Sequence, residues 1–333
     1  MSTAIPGGPT ARAVLGRSGV PVTRLGFGGA ALGGLFRPVS EDQAVRAVRA
    51  AWDAGLRYFD TAPHYGAGLS EQRLGLALSG LSRGEFTVST KVGRLLTEGT
   101  GADGREFTGA PDRLRVRDYS RDGVLRSVDE SLRRLGLDRV DVLYIHDPDE
   151  HWQQAVTEAY PTLARLRDDR VVGAIGVGMN QTAMLSRFVT ETDLDVVLCA
   201  GRCTLLDDSA RRELLPLCER RGVAVVAAGV YNSGILADPT GTPHYDYAPA
   251  PPWVRARADG LAGLCAAHGV PLPAAALAWT ARHPAVTSVL VGMRSAEEVR
   301  ANVGWARADV PPGLCGGLAG MLRGDAGHPG SGR

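Results

Sequence analysis

With 333 residues the chain is long enough for one large domain or two ordinary ones, and 44% apolar with 22% charged residues exclude a disordered or fibrous protein. Lys plus Arg number 37 against 36 Asp plus Glu, a balance that argues against electrostatic binding to nucleic acid or anionic lipid. No run approaches the roughly 18 apolar residues of a membrane span, and residues 1–10 carry neither the basic start nor the apolar centre of a secretion signal.

The first elements are two short apolar runs, 13–15 and 20–25, around a glycine-bounded turn at 16–19; they read as a β-hairpin. From there one pattern repeats: a short apolar run ending in polar or glycine residues, then an amphipathic stretch of helix length. Runs at 25–28, 57–60, 86–90, 140–145, 172–178, 194–199, 223–227 and 286–291 predict strands. Helical patterns start near Ser40, Ser70, Ser120, Trp152, Gln181, Ser209 and Trp253, and a last one spans 295–305. Ser40-Glu41-Asp42-Gln43 and Ser295-Ala296-Glu297-Glu298 carry the capping-box spacing. Strands alternating with helices imply parallel pairing through helical crossovers. Eight repeats in about 280 residues, without a composition break, predict an α/β fold, the closed (β/α)8 TIM barrel. The hairpin and an extra helix over 273–283, before the eighth strand, add to that plan. Segments 93–118 and 229–252 exceed ordinary βα connections and hold Gly, Pro, Tyr, His and Arg, as active-site loops do. We expect one domain over residues 11–310, with flexible termini at 1–10 and at the Gly- and Pro-rich 311–333.

Gly26-Phe27-Gly28-Gly29-Ala30-Ala31 matches a loose dinucleotide fingerprint, but its context fails. The helix begins only at Ser40, and the next strand-end acid, Asp60, stands roughly thirty residues on instead of about 20. Glycines that keep the barrel mouth open explain the match better.

Four ionisable residues carry the chemistry. Asp60 closes the second strand, Tyr65 lies just beyond it, Lys91 closes the third and His146 the fourth. In a parallel barrel these C-terminal ends converge on one face. A tyrosine with a pKa near ~10 is a poor acid–base group at neutral pH; an ammonium beside it favours the phenolate. A buried lysine needs a counter-ion, which Asp60 supplies. A neutral histidine orients a carbonyl or hydroxyl oxygen. Together they form a proton relay around one substrate oxygen, which is what hydride transfer to or from a nicotinamide asks of a protein. The five cysteines (Cys199, Cys203, Cys218, Cys265, Cys315) include no C-x-x-C pair. They suit reduced, non-catalytic thiols in a cytoplasm and no metal site.

Phe59-Asp60-Thr61-Ala62-Pro63-His64-Tyr65-Gly66, Ser89-Thr90-Lys91 and Leu143-Tyr144-Ile145-His146 closely resemble the aldo-keto reductase superfamily. Segments 200–207, 231–236 and 245–251 are similar to its aldose 1-dehydrogenase branch, which includes L-fucose, D-threo-aldose and L-galactose dehydrogenases, with pyridoxal 4-dehydrogenase close by. The resemblance implies Tyr65 as general acid/base, Lys91 and Asp60 as its tuning pair, and His146 as the residue that positions the substrate oxygen. It implies a nicotinamide cofactor, NAD in preference to NADP, against Asn180, Ser233, Gly234, Gly292, Met293, Arg294, Glu298 and Asn302. Glu298 stands where NADP-preferring relatives commonly have Arg, and Asn302 would meet the adenine edge. Three departures stand out: Ala200 or Gly201 replaces the usual Gln, Ala228-Gly229 replaces a stacking aromatic with Tyr231 too far along to substitute, and Gly178-Met179-Asn180 replaces a common Ser-Asn. Phe36, Arg94, Trp253 and residues 245–247 are candidate wall residues. The implied activity is oxidation of an aldose at C1 to a lactone. The alternatives are reduction of small aldehydes or ketones, a pyridoxal 4-dehydrogenase-like activity, and a non-catalytic nucleotide-binding subunit. The partner expected is a small sugar or aldehyde, with no nucleic acid and no membrane, acting on a monomer or small homo-oligomer.

Overall fold

The computed structural model describes residues 4–324 apart from 100, 102 and 241–243. Eight strands line the barrel: β1 (Leu25–Gly28), β2 (Tyr58–Asp60), β3 (Thr87–Val92), β4 (Val142–His146), β5 (Ala174–Met179), β6 (Val196–Ala200), β7 (Ala224–Ala228) and β8 (Val286–Gly292). All pair in parallel and in sequence order, and β8 returns to β1, as the repeat predicts. Helices Glu41–Asp53, Leu69–Leu78, Arg121–Leu135, Tyr160–Asp168, Thr182–Glu191, Leu214–Arg221, Pro252–Ala267 and Ala296–Arg307 connect or follow them, with Leu272–Ala281 as the extra helix before β8. Near Ser209 the chain makes only a 3-10 turn, Ser209–Arg211, and the helix proper begins at Leu214.

Local chemistry explains the starts. Ser40 accepts the N–H of Gln43 at 3.1 Å, and Ser295 that of Glu298 at 3.2 Å, so both expected caps form. Side chains alternate across each strand. Tyr58, Val142, Tyr144, Ala174, Val196, Leu198, Val226 and Leu290 fill the barrel interior, whereas Phe59, Leu143, Ile145 and Val197 face the helices. The N-terminal hairpin, Arg12–Val14 against Pro21–Thr23, closes the bottom and adds Leu15, Val20 and Val22 to the interior. Each such buried apolar side chain contributes about 1.5–3 kcal/mol.

The two long loops hold short antiparallel ribbons, Arg94–Glu98 with Arg113–Arg117 and His244–Tyr245 with Ala248–Pro249. No helix opens at the decoy glycines; a 3-10 turn, Gly29–Gly33, follows β1. The termini correct the expectation of flexibility. Ala4 and Ile5 are buried, with backbone bonds to Ala308 and Ala306. Residues Pro312–Gly324 form a helix that buries Leu314 and Leu318 and packs on Pro252–Ala267. The four-residue spacing of those leucines outweighs the glycines around them. Residues 1–3 and 325–333 lie outside the described residues. Among the described residues, no single helix is long and apolar enough to cross a membrane.

Candidate active site

Strand parity decides which side chains meet at the mouth. Asp60 shares the inward face of β2 with Tyr58, and His146 shares that of β4 with Tyr144. The register sets Asp60 beside Ser89, and Lys91 beside Tyr144. Lys91 is 1% and Asp60 3% exposed. The Lys91 ammonium donates to Asp60 Oδ2 at 2.7 Å and to the Thr61 carbonyl at 2.9 Å. Ser89 Oγ donates to the other oxygen of Asp60 at 2.7 Å and lies 3.2 Å from the Tyr58 hydroxyl, which meets the Tyr144 hydroxyl at 3.1 Å. A dry ion pair is tolerated only when its remaining donors and acceptors are matched in this way.

Tyr65 sits on the turn after β2. Gly66, at φ +61°, lies against Gly33 so closely that a Cβ would stand 2.4 Å from the Gly33 carbonyl oxygen. Two glycines thus let the loops after β1 and β2 touch, and this contact fixes the turn that carries Tyr65. The Lys91 ammonium lies 4.6 Å from the centre of the Tyr65 ring, and the His146 ring stands edge-on to it at 6.0 Å, 88°. All four expected catalytic residues converge.

The electrostatics revise one expectation. Burial, then the Asp60 and Asp147 carboxylates, push the Tyr65 phenol well above its ordinary range, with Arg94 opposing. Lys91 commits its charge to Asp60, and burial then favours the neutral phenol over the phenolate that an adjacent ammonium was expected to favour. Burial, then the positive charges of Arg94 and Lys91, hold His146 well below its usual value, so its imidazole is neutral.

Further groups at the mouth pair in ways that no sequence motif announces. His64 Nε2 meets Glu106 at 3.3 Å, and its ring stands 5.8 Å from that of His146. Arg94, expected only as a wall residue, is 6% exposed and pairs with Asp147 at 2.6 Å. The Tyr119 hydroxyl lies 2.7 and 2.8 Å from the carbonyls of His146 and Asp147 and shares its proton between them. Phe36 stacks on His244 at 4.6 Å, and Tyr245 meets Trp253 edge-on at 6.0 Å. The length of the loops was the one signal for these contacts.

The mouth beside β6 to β8 has chemistry suited to a nicotinamide dinucleotide. Ala200-Gly201 and Ala228-Gly229 end β6 and β7 without long side chains. Asn232 Nδ2 donates to the Gly201 carbonyl at 3.2 Å, while its Oδ1 is buried without a partner, an unclaimed acceptor. Beyond β8, Gly292 leaves open space where a Cβ would stand, the Ser295-capped helix presents its free N–H groups, and Arg294 Nη1 is buried without a partner. Glu298 accepts the Arg294 N–H at 2.8 Å and meets its Nε at 3.1 Å. Ser233 accepts the Tyr247 N–H at 3.3 Å, Gly234 is exposed, and Asn180 follows the end of β5. Two of the expected residues are buried. The Met293 side chain is wholly buried in the core. Asn302 is 4% exposed; its Oδ1 accepts from the Tyr231 hydroxyl and its Nδ2 donates to the Glu298 carbonyl, both at 2.8 Å. Tyr231 is thereby held in the buried layer against Asn302.

The cysteines behave as structural thiols. Cys203, the one beside an arginine in sequence, is 2% exposed and pushed by burial up to about 12. Thiol reagents are therefore expected to leave activity intact over the time the folded enzyme survives. Rapid inactivation that a sugar prevents would contradict this.

The aldo/keto reductase family model matches residues 24–310. The chain is 43% identical to a D-threo-aldose 1-dehydrogenase of a Pseudomonas species, over 91% of this chain and 94% of that one. It is 42% identical to a pyridoxal 4-dehydrogenase of Microbacterium luteolum, over 89% and 93%. An L-galactose dehydrogenase of Arabidopsis thaliana is 34% identical over 87% and 86%. Among solved structures, the glycerol dehydrogenase of Gluconobacter oxydans superposes with a TM-score of 0.76 over 96% of this chain and 97% of that one, at 23% identity, a likeness of fold. The closed barrel, the converging Asp60, Tyr65, Lys91 and His146, and these relatives lead to one conclusion: the chain is an oxidoreductase and belongs to the aldo/keto reductase family, whose members generally use a nicotinamide cofactor.

Proposed function

We propose that the protein is an NAD-dependent aldose 1-dehydrogenase that converts a cyclic sugar to its lactone. The observation that carries this reading is the dry Asp60–Lys91 pair beneath Tyr65, with a neutral His146 across from it. His146 donates to the C1 oxygen of the sugar and holds it against Tyr65. Tyr65, as phenolate, takes the hydroxyl proton, and the C1–O bond becomes a carbonyl with the ring intact. Lys91 and Asp60 hold the charge balance beneath the phenol. The bound nicotinamide supplies the acceptor for the hydride that leaves C1. The polar groups at the mouth, the His64–Glu106 contact and the Arg94–Asp147 ion pair, suit a substrate rich in hydroxyl groups. The likeness to a D-threo-aldose 1-dehydrogenase points the same way. Asn232 Oδ1 would take the carboxamide N–H, and Gly292, Arg294 and the capped helix would take the adenosine end. The five free cysteines, four of them buried, suit a reducing compartment such as the cytoplasm.

One observation favours a second reading. A phenol that is neutral at rest is a proton donor, and the same relay run backwards would reduce an aldehyde. Absorbance at 340 nm, with NAD or NADP against L-fucose, D-arabinose, L-galactose and pyridoxal, separates the two. Reduced cofactor should form with at least one sugar; pyridoxal turnover alone, or no turnover with any sugar, would overturn the aldose reading.

The NAD preference rests on Glu298. A carboxylate there accepts bonds from ribose hydroxyls and repels a 2′-phosphate, whereas Arg294 beside it pulls toward the phosphate. The expected kcat/KM ratio favours NAD and falls in Glu298→Gln. A wild-type preference for NADP, or an unmoved ratio in the variant, would contradict it.

A further inference from the structure

Asp147 is held more firmly than an ordinary loop residue. Its backbone sits at φ +42°, in the left-handed region that an L side chain enters at a cost. Its N–H donates to the Gly178 carbonyl at 3.0 Å, and its own carbonyl and that of His146 share the Tyr119 hydroxyl. Arg94 Nη2 grips Oδ2 at 2.6 Å from a side chain that is 7% exposed. That same oxygen lies 3.4 Å from His146 Nε2, while His146 Nδ1 is buried with no hydrogen-bond partner among the described residues.

We propose that Asp147, clamped by Arg94, is the positioning residue that keeps the single imidazole proton of His146 on Nε2. A neutral imidazole carries one N–H, and the acceptors beside its two nitrogens decide on which of them it resides. Here the carboxylate stands near Nε2 and, among the described residues, Nδ1 has no hydrogen-bond partner, so the proton resides on Nε2. At 3.4 Å the contact is long for a hydrogen bond, whose usual N···O distance is about 2.9–3.0 Å. The carboxylate therefore biases the tautomer without consuming the donor. The donor stays available to the reacting oxygen, which must receive a bond from His146 whether the substrate is an alcohol or a carbonyl. Arg94 matters because it fixes the carboxylate that would otherwise swing toward solvent.

The kinetic arm of the test rests on the aldose reading, and the spectroscopic arm does not. Nitrogen-15 NMR of the unliganded enzyme labelled at histidine should show His146 protonated on Nε2. In Asp147→Asn the amide can donate to Nε2 and drive the proton to Nδ1. Its kcat should fall about 10- to 100-fold with KM within about 3-fold. Arg94→Lys should keep the Nε2 proton, and Arg94→Met should give a mixture of tautomers. A wild-type proton on Nδ1 overturns the proposal without any variant. So does a folded Asp147→Asn enzyme whose tautomer is unchanged, whatever its activity. If the aldose panel fails but the tautomers behave as stated, the positioning role stands and the substrate reading falls.

Discussion

Tyr65→Phe is expected to lower turnover by at least about 10²-fold, and up to about 10⁴-fold, the range a general acid or base supplies. The substitution removes one oxygen and keeps the ring, so the packing against Phe107 at 6.0 Å and the ammonium over the ring at 4.6 Å should survive. Nucleotide affinity should therefore hardly change, and the melting temperature should stay close to wild type. The pH dependence follows from the direction of the shift. A phenol raised above its ordinary range must ionise before it accepts a proton, so wild-type oxidation should speed up as pH rises through the neutral range. His146, held neutral, should add no inflection near its ordinary pKa. A variant that kept a tenth of the activity would sink the assignment of Tyr65.

Lys91→Met is expected to damage both stability and chemistry, because it leaves the Asp60 carboxylate buried and uncompensated. Breaking a buried pair from one side typically costs about 3–5 kcal/mol, a large share of a protein's net stability. Activity should fall about as far as in the Tyr65 variant. The two effects can be separated. In the double variant Asp60→Asn with Lys91→Met, no charge remains to be neutralised, so stability should recover while turnover stays low. Recovery of turnover along with stability would show that Lys91 serves the fold and not the reaction. Chemical denaturation and steady-state rates on the three proteins check it.

The barrel was legible because its signals are local. Runs ending at Asp60, Lys91 and His146 have strand length, and period-two alternation turns all three side chains inward at one end. Ser40 and Ser295 mark helix starts through chemistry confined to four residues. What was not legible depends on pairs distant in sequence. Arg94 and Asp147 lie 53 positions apart, and Tyr231 and Asn302 lie 71 apart. Neither pairing has any sequence signature, and the second engages an amide that was expected to face the cofactor. The state of Tyr65 was misjudged because Lys91 faces two oxygens first, and burial, which the sequence does not state, then outweighs the remaining attraction. The terminal helix was hidden by composition: glycines dominate Pro312–Gly324, yet Leu314 and Leu318 still find the barrel's outer layer.

The central claim is that a hydride leaves C1 of an aldose while Tyr65 takes the hydroxyl proton. Turnover of a sugar deuterated at C1, followed by mass spectrometry of both products, tests it most directly. The claim predicts one deuterium on the reduced nicotinamide, none retained at C1, and a lactone with the ring closed. Reduced cofactor free of deuterium, or a product oxidised at another carbon, would contradict it.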